Sequence, residues 1–229
     1  MAGREDKMTL YAIDIDQTIC GSNAHEIYAF FHNEDLGLQI EHSTLTQLTS
    51  YRDFFFLPAV VAFRKANERE WNASRQRAIA TPSVIEAFTP IEGAAKGVET
   101  LSQYGIIRYC TARTPVVREA TERWLTRYTF PESQNVVCCS DIEQKVHVLA
   151  CHEPQDEPIV LIDDRGHTHF LMMLERMKED RSTQILVQRL RILAFGTSTA
   201  LLPESSPCPL FALPAWDQLQ EIMPLVTAS

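Results

Sequence analysis

The sequence predicts a three-layer α/β fold, in which helices cover both faces of a doubly wound parallel sheet and a helical domain is inserted near its start. Three observations predict it. An apolar segment at residues 8–15 is typical of a buried strand. Residues 22–88 show helical periodicity with few turn signals. From residue 93 onward, strand-like and helix-like segments alternate, which is typical of a parallel sheet.

The alternating part of the chain supplies the remaining elements. Its strands are predicted at residues 106–110, 135–139, 158–162 and 184–188. Its helices are predicted at residues 94–104, 115–128, 142–151, 167–178 and 216–223. Thr114 is placed to cap the second of these helices, and Pro115 suits its first turn. Residues 202–214 are rich in Pro and Ser and predict a loop, so the core has about five parallel strands.

The helical stretch interrupts the alternation after a single strand, which makes it a candidate inserted domain. Pro82, Pro90 and Gly93 mark its end, because Pro and Gly favour turns and boundaries. We therefore expect residues 1–21 and 89–229 to form the α/β core. Residues 22–88 are expected to form a helical cap.

Composition limits the classes of partner. The chain has 229 residues, with 30 acidic and 21 basic side chains and a net charge of -9. An acidic surface repels a phosphate backbone, so we expect no binding to a nucleic acid duplex. No apolar run approaches the roughly 18 residues of a membrane span, so we expect no membrane insertion. The polar residues 1–7 and the six cysteines without a CxxC pair favour a reduced, cytoplasmic protein.

Four short polar features follow predicted strands at the positions where ligands bind to open parallel sheets. They are the segment Asp14-Ile15-Asp16-Gln17-Thr18, the segment Thr111-Ala112-Arg113, the side chain of Lys145, and the pair Asp163-Asp164. Ligands bind beyond the carboxyl ends of the strands, where the strand order reverses. If the first and fourth strands are neighbours there, Asp14 and Asp163 face each other. A divalent cation would relieve their repulsion, and oxygen ligands suit Mg²⁺.

These features, in this order, resemble the four motifs of the phosphatase branch of the haloacid dehalogenase-like (HAD) superfamily. Those motifs are DxDx[TV], a Ser or Thr, a Lys, and an acidic pair, and the resemblance spans residues 8–162 and beyond. It implies a Rossmann-like core with a cap, Mg²⁺ as cofactor, and hydrolysis of a small phosphorylated metabolite through an aspartyl-phosphate. Gln17 departs from the pattern, because a small residue is frequent at that position.

The resemblance also implies a role for each matching residue. Asp14 matches the nucleophile and a metal ligand. Asp16 matches the general acid/base, and its backbone carbonyl is expected to face the metal. Thr111 matches the hydroxyl that hydrogen-bonds the transferring phosphoryl group. Lys145 matches the cation that pairs with the nucleophile and the phosphate.

The remaining polar residues near these motifs are assigned less narrowly. Asp163 matches the acidic metal ligand, and Asp164 is either a second ligand or an outer partner. Arg113 either contacts the phosphate or pairs with a core carboxylate. His167 and His169 are expected to be ordinary helix residues, because a hard cation prefers oxygen ligands.

Two sets of residues in the predicted cap are candidates for substrate contact. The aromatic set is Tyr51, Phe54, Phe55 and Phe56, and its alternative role is the core of the cap. The basic set is Arg64, Lys65, Arg69, Arg75 and Arg77, and its alternative role is a solvated face. Two other functions stay open: a phosphomutase or phosphotransferase with the same residues, and a non-catalytic binding protein on the same scaffold. The sequence does not indicate the substrate or the oligomeric state.

Overall fold

The computed structural model describes residues 8–139 and 141–227. Within these residues the strands form one parallel sheet in the order β3-β2-β1-β4-β5-β6. The strands are β1 (Thr9–Ile13), β2 (Gly105–Thr111), β3 (Val136–Cys138), β4 (Ile159–Asp163), β5 (Leu190–Phe195) and β6 (Leu210–Leu213). The strand order reverses between β1 and β4, so the sheet is doubly wound, as predicted.

Strand β1 lies at the centre of the sheet because its residues are apolar on both faces, as is typical of strands in parallel sheets. Leu10 and Ala12 pack into the core cluster on one face, whereas Tyr11 and Ile13 pack into the cluster on the other. Ile13 lies opposite Ile162 of β4. This register brings the residues that follow β1 level with the last residue of β4.

The segment between β1 and β2 is helical, as predicted for residues 22–88. Its helices are α1 (Ala24–Asp35), α2 (His42–Leu45), α3 (Tyr51–Phe56), α4 (Pro58–Ala66), α5 (Glu68–Ala80) and α6 (Pro82–Ala87). Pro58 and Pro82 occupy first turns, where a missing N–H costs nothing. The segment has a hydrophobic cluster of its own, which includes Phe54, Val60 and Trp71. We call it the helical insertion.

The other helices cover the two faces of the sheet. They are α7 (Ala94–Ser102), α8 (Arg118–Arg127), α9 (Ile142–Ala150), α10 (Leu171–Arg176), α11 (Arg181–Arg189) and α12 (Leu219–Thr227). Thr114 caps the 3-10 turn Pro115–Val117, since Val116 N donates to Thr114 Oγ1 at 3.3 Å, whereas the α-helix predicted from residue 115 begins only at Arg118. Gly97 lets α7 approach the ring of Trp216, because a Cβ at that position would lie 2.3 Å from the ring.

Two predictions about the second half of the chain are wrong. Residues 184–188 belong to helix α11, and the strand begins only at Leu190. A short apolar run suits either element, and here Asp180 caps a helix by accepting a hydrogen bond from Ser182 N at 2.7 Å. The predicted loop at residues 202–214 contains β6, a short edge strand that pairs with β5. The described sheet therefore has six strands rather than about five.

Two expectations concern the described chain as a whole. Among residues 8–139 and 141–227, no helix is both long and apolar enough to cross a bilayer. The six cysteines all lie within these ranges, and each is a free thiol.

Candidate active site

Lys145 joins the acidic ends of β1 and β4. Its Nζ donates to Oδ1 of Asp14 at 2.7 Å and to Oδ2 of Asp163 at 2.8 Å, and all three side chains are buried. Helix α9 presents the lysine, and the start of this helix is fixed by Asp141, which accepts a hydrogen bond from Gln144 N at 2.8 Å. The ends of the first and fourth core strands therefore lie together, as the predicted strand order requires.

Three carboxylates at this edge could hold a cation. Asp14, Asp163 and Asp164 each place one oxygen within 4.8 Å of the others. Burial raises the pKa of Asp14 to about 8; Lys145 opposes the rise, and the charge of Asp163 adds to it. Burial, and then the charge of Asp163, raise the pKa of Asp164 to about 6. The ionised carboxylates are therefore unfavourable together even beside Lys145, and a set of carboxylate oxygens suits a hard metal ion such as Mg²⁺.

Asp16 does not belong to that cluster, because its carboxylate is bound by Arg113. Arg113 Nη2 donates to Asp16 Oδ1 at 2.8 Å, and Arg113 Nε donates to Oδ2 at 3.0 Å. The guanidinium also donates to Thr121 Oγ1 at 3.1 Å and contacts Cys20 Sγ at 3.0 Å. Thr111 Oγ1 donates to Asp16 Oδ2 at 3.4 Å. The sequence left two roles open for Arg113, contact with the phosphate or pairing with a carboxylate, and in the structure it pairs with the carboxylate of Asp16.

The turn after β1 is held by its own backbone. The carbonyl of Ile15 accepts hydrogen bonds from three following N–H groups, and Gln17 N donates to Cys20 O at 2.8 Å. Gln17 has a φ of 64°, a left-handed conformation in which glycine is favoured. Thr18 Oγ1 accepts a hydrogen bond from Asp164 N at 3.1 Å, which ties this turn to the end of β4. Sequence reasoning did not single out Thr18 for this role.

A cavity of about 270 Å³ lies over these groups. It is lined by Asp14, Asp16, Gln17, Tyr28, Ile79, Ile85, Ala112, Arg113, Asp141, Ile142, Lys145, Asp163, Asp164 and Arg165. The helical insertion contributes Tyr28, Ile79 and Ile85 to this lining. Sequence reasoning missed all three, because apolar and aromatic residues in helices are ordinarily core residues and no motif distinguishes them.

The aromatic residues that were candidates for substrate contact lie elsewhere. Phe54 is buried in the cluster of the helical insertion, and Tyr51 and Phe55 pack against that cluster. Phe56 is 67% exposed. None of the four is among the described residues that line the cavity. Their position favours the alternative role in the core of the insertion.

The basic residues of the helical insertion are also absent from the described lining of the cavity. The guanidinium of Arg64 lies over the ring of Phe55, 4.7 Å from its centroid. Arg77 forms ion pairs with Asp35 and Glu70, each at 2.7 Å. Their contacts favour the alternative role on a solvated face of the insertion.

His167 and His169 lie in the π-helical turn Gly166–Phe170, which directly precedes α10. Neither belongs to the acidic cluster found among the described residues.

Comparison with known proteins shows which solved structures share this fold. No protein-family model matches the sequence, and no curated protein matches it. Solved structures do match. YfnB from Bacillus subtilis, assigned as a HAD hydrolase and bound to magnesium, has a TM-score of 0.58 at 16% identity, over 95% of this chain and 99% of YfnB. The haloacid dehalogenase-like family protein SP0104 from Streptococcus pneumoniae has a TM-score of 0.54 at 16% identity, over 95% and 97% of the two chains.

A third match is a protein from Thermotoga maritima assigned as a β-phosphoglucomutase. Its TM-score is 0.50 at 14% identity, over 96% of this chain and 100% of that protein. These likenesses extend over almost the whole length of each chain. The chain therefore has the fold of the haloacid dehalogenase-like hydrolases, as the motifs in its sequence predicted.

Proposed function

We propose that this chain is a member of the HAD superfamily and a Mg²⁺-dependent phosphatase, which hydrolyses a small phosphate monoester through an aspartyl-phosphate on Asp14. One observation carries the proposal. The buried ammonium of Lys145 lies between Asp14 and Asp163, and an oxygen of Asp164 lies within 4.8 Å of the same cluster. A carboxylate so placed, beside a cation and a candidate metal site, is positioned to attack phosphorus.

The first step is the transfer of the phosphoryl group to Asp14. A carboxylate oxygen of Asp14 attacks phosphorus, and the bond between phosphorus and the leaving oxygen breaks. Asp16 gives a proton to the leaving oxygen, so the alcohol departs neutral. The side chain of Asp16 is 41% exposed, so it reaches the cavity while Arg113 fixes its orientation.

The second step releases phosphate. Asp16, now a carboxylate, takes a proton from a water molecule as that water attacks phosphorus. The bond between phosphorus and Asp14 breaks, and inorganic phosphate leaves. Lys145 offsets the charge on the phosphoryl oxygens in both steps. The Thr111 hydroxyl donates to Asp16 Oδ2 at 3.4 Å and lies outside the described lining of the cavity, so it would have to turn towards the phosphoryl group to take the role that the motif implies.

The residues present fit a magnesium ion. Asp14, Asp163 and Asp164 would hold it through carboxylate oxygens, and the backbone carbonyl of Asp16 is a further candidate ligand. When bound, the ion supplies positive charge that offsets the repulsion between the carboxylate nucleophile and a phosphate dianion. Lys145 Nζ donates to Oδ1 of Asp14, so this oxygen is already paired with a cation.

The helical insertion is proposed to act as a cap. Residues 22–88 would close the cavity, and the described part of residues 1–21 and 89–229 would form the α/β core that carries the motifs. Residues 1–7, 140, 228 and 229 lie outside the described residues. Tyr28, Ile79 and Ile85 reach the cavity from the insertion, which supports this division. Closure of such a cap excludes bulk water from the reacting groups.

A phosphomutase or phosphotransferase would use the same residues but pass the phosphoryl group from Asp14 to an organic acceptor. The assignment of the Thermotoga maritima protein as a β-phosphoglucomutase keeps this second function open. The products separate the two, because free phosphate accumulates in stoichiometric amounts only in hydrolysis. A binding protein without catalysis would release none.

The test is hydrolysis of a chromogenic aryl phosphate with Mg²⁺ by the wild type and by Asp14→Asn. We expect turnover by the wild type and none by the variant, because the amide is a poor nucleophile. Asp217→Asn, at an exposed residue outside the cavity, is the matched control and should keep full activity. Full activity in Asp14→Asn would remove Asp14 from the mechanism.

A further inference from the structure

We propose that the substrate of this site carries one phosphate on an uncharged, largely apolar leaving group, such as an aryl or alkyl alcohol, and no second anionic group. The inference rests on the proposed function and narrows it to a substrate class. Two features of the cavity carry it: the balance of charges in its lining and the chemistry of the surface that the helical insertion supplies.

Carboxylates outnumber cations in the lining. The acidic members are Asp14, Asp16, Asp141, Asp163 and Asp164, and the basic members are Arg113, Lys145 and Arg165. With all five carboxylates ionised, the described lining has a net charge of -2, which one bound divalent cation would neutralise. A bound phosphate dianion then makes the site negative again, so a second anionic group would meet net repulsion.

Two of the three cations of the lining are already engaged by carboxylates. Lys145 is bound by Asp14 and Asp163, and Arg113 is bound by Asp16. Arg165 is 64% exposed and lies 3.8 Å from Asp164, so solvent and its own neighbour screen its charge. Lys145 and Arg113 are therefore not spare cations for a carboxylate or a second phosphate, and the exposed Arg165 attracts such a group only weakly through solvent.

The surface that faces the phosphate site from the insertion is apolar apart from one phenol. It consists of Tyr28 on α1, Ile79 on α5 and Ile85 on α6. The ring of Tyr28 packs against the rings of Phe88, at 5.3 Å between centroids, and Tyr51, at 5.6 Å. This aromatic ring and the two isoleucines favour an aryl or alkyl group, because burial of its apolar surface and contact with the ring both stabilise the bound state.

The experiment compares three esters whose leaving alcohols have similar basicity: methyl phosphate, benzyl phosphate and 4-carboxybenzyl phosphate. Phosphate release with Mg²⁺ gives kcat/KM for each with the purified wild type. We expect kcat/KM for benzyl phosphate to exceed that for methyl phosphate by about tenfold or more, from buried apolar area. We expect the added carboxylate to reduce kcat/KM by about tenfold or more, from charge repulsion.

A variant tests the location of this selectivity. Ile79→Lys places a cation on the surface opposite the phosphate, so the ratio of 4-carboxybenzyl to benzyl activity should rise by about tenfold. The matched control is Val61→Lys, an exposed position on α4 outside the lining, and its ratio should stay at the wild-type value. Thermal unfolding of each variant checks that it is folded.

The outcomes separate the inference from the proposed function. If the wild type hydrolyses none of the three esters, the proposed phosphatase function fails. If it hydrolyses benzyl and 4-carboxybenzyl phosphate equally well, phosphatase function stands and the proposed substrate class is wrong. The wild-type ratio decides this even if Ile79→Lys does not fold. A folded Ile79→Lys with an unchanged ratio would also overturn the assignment of the selective surface.

Discussion

Replacing Lys145 with methionine removes the cation between the two buried carboxylates at the ends of β1 and β4. The side chains of Lys145, Asp14 and Asp163 are 5%, 11% and 8% exposed, so little solvent would screen the carboxylate charges that remain. Removing one partner of a buried ion pair costs about 3–5 kcal/mol, because the remaining charge is left without compensation. For a chain of this size that corresponds to a fall in Tm of roughly 6–20 °C.

The pH dependence of this loss has a definite sign. Burial already raises the pKa of Asp14 to about 8, and removal of Lys145 raises that pKa further. A carboxyl whose pKa is higher in the folded state stabilises the fold below its unfolded pKa, about 3.9, and this stability is lost as pH rises through the folded value. The destabilisation caused by Lys145→Met is therefore smallest near pH 4 and largest above about pH 8.

The assay is thermal unfolding with a chelator and again with Mg²⁺, at about pH 5 and about pH 8.5, which lie on either side of the wild-type pKa of Asp14. The matched control is Lys178→Met. Lys178 is 60% exposed and pairs with Glu175 on the surface, so its loss should cost less than about 1 kcal/mol. Mg²⁺ should raise the Tm of Lys145→Met more than that of the wild type, because it replaces the missing positive charge. Equal Tm values for the two variants at both pH values would refute the buried ion pair.

Three further outcomes are expected. Arg113→Lys should lower kcat by about 10- to 100-fold with little change in KM. A lysine ammonium cannot replace the two hydrogen bonds by which the guanidinium orients Asp16, the proposed general acid. An unchanged kcat would contradict this expectation. Mg²⁺ affinity, measured calorimetrically, should rise from about pH 5 to about pH 8. Protons compete with the ion for Asp164, whose pKa is about 6, and for Asp14, whose pKa is about 8. A flat pH profile of the affinity would contradict this expectation. Gly97→Ala should lower the free energy of unfolding in urea by about 1–3 kcal/mol, because the new Cβ meets Trp216, and a change within about 0.5 kcal/mol would contradict it.

The fold and the acidic cluster could be predicted from the sequence, because both depend on local sequence patterns and on their order along the chain. The apolar strand before Asp14 and the apolar strand before Asp163 are each recognisable alone, and the rule for parallel sheets then places their ends at one edge. Strand β6 was missed because it is a short edge strand behind a segment rich in Pro and Ser. Residues 184–188 were misassigned because a short apolar run does not distinguish a strand from a helix.

The rest of the site depends on contacts that no local pattern encodes. Arg113 was left with two roles, because its choice of Asp16 follows from the positions of β1 and β2 and from the contacts with Thr121 and Cys20. Tyr28 was not singled out at all. It reaches the cavity from α1, where it also packs against a core cluster of the sheet, and only the tertiary packing reveals this.

The most direct test of the central claim is to trap the covalent intermediate. Asp16→Asn should form the aspartyl-phosphate from a good leaving group but hydrolyse it slowly, because it lacks the base that activates water. We predict that acid quenching and peptide mapping by mass spectrometry will find the phosphate on Asp14. Phosphate release by the wild type, with no phosphorylated Asp14 in this variant and full activity in Asp14→Asn, would contradict the mechanism.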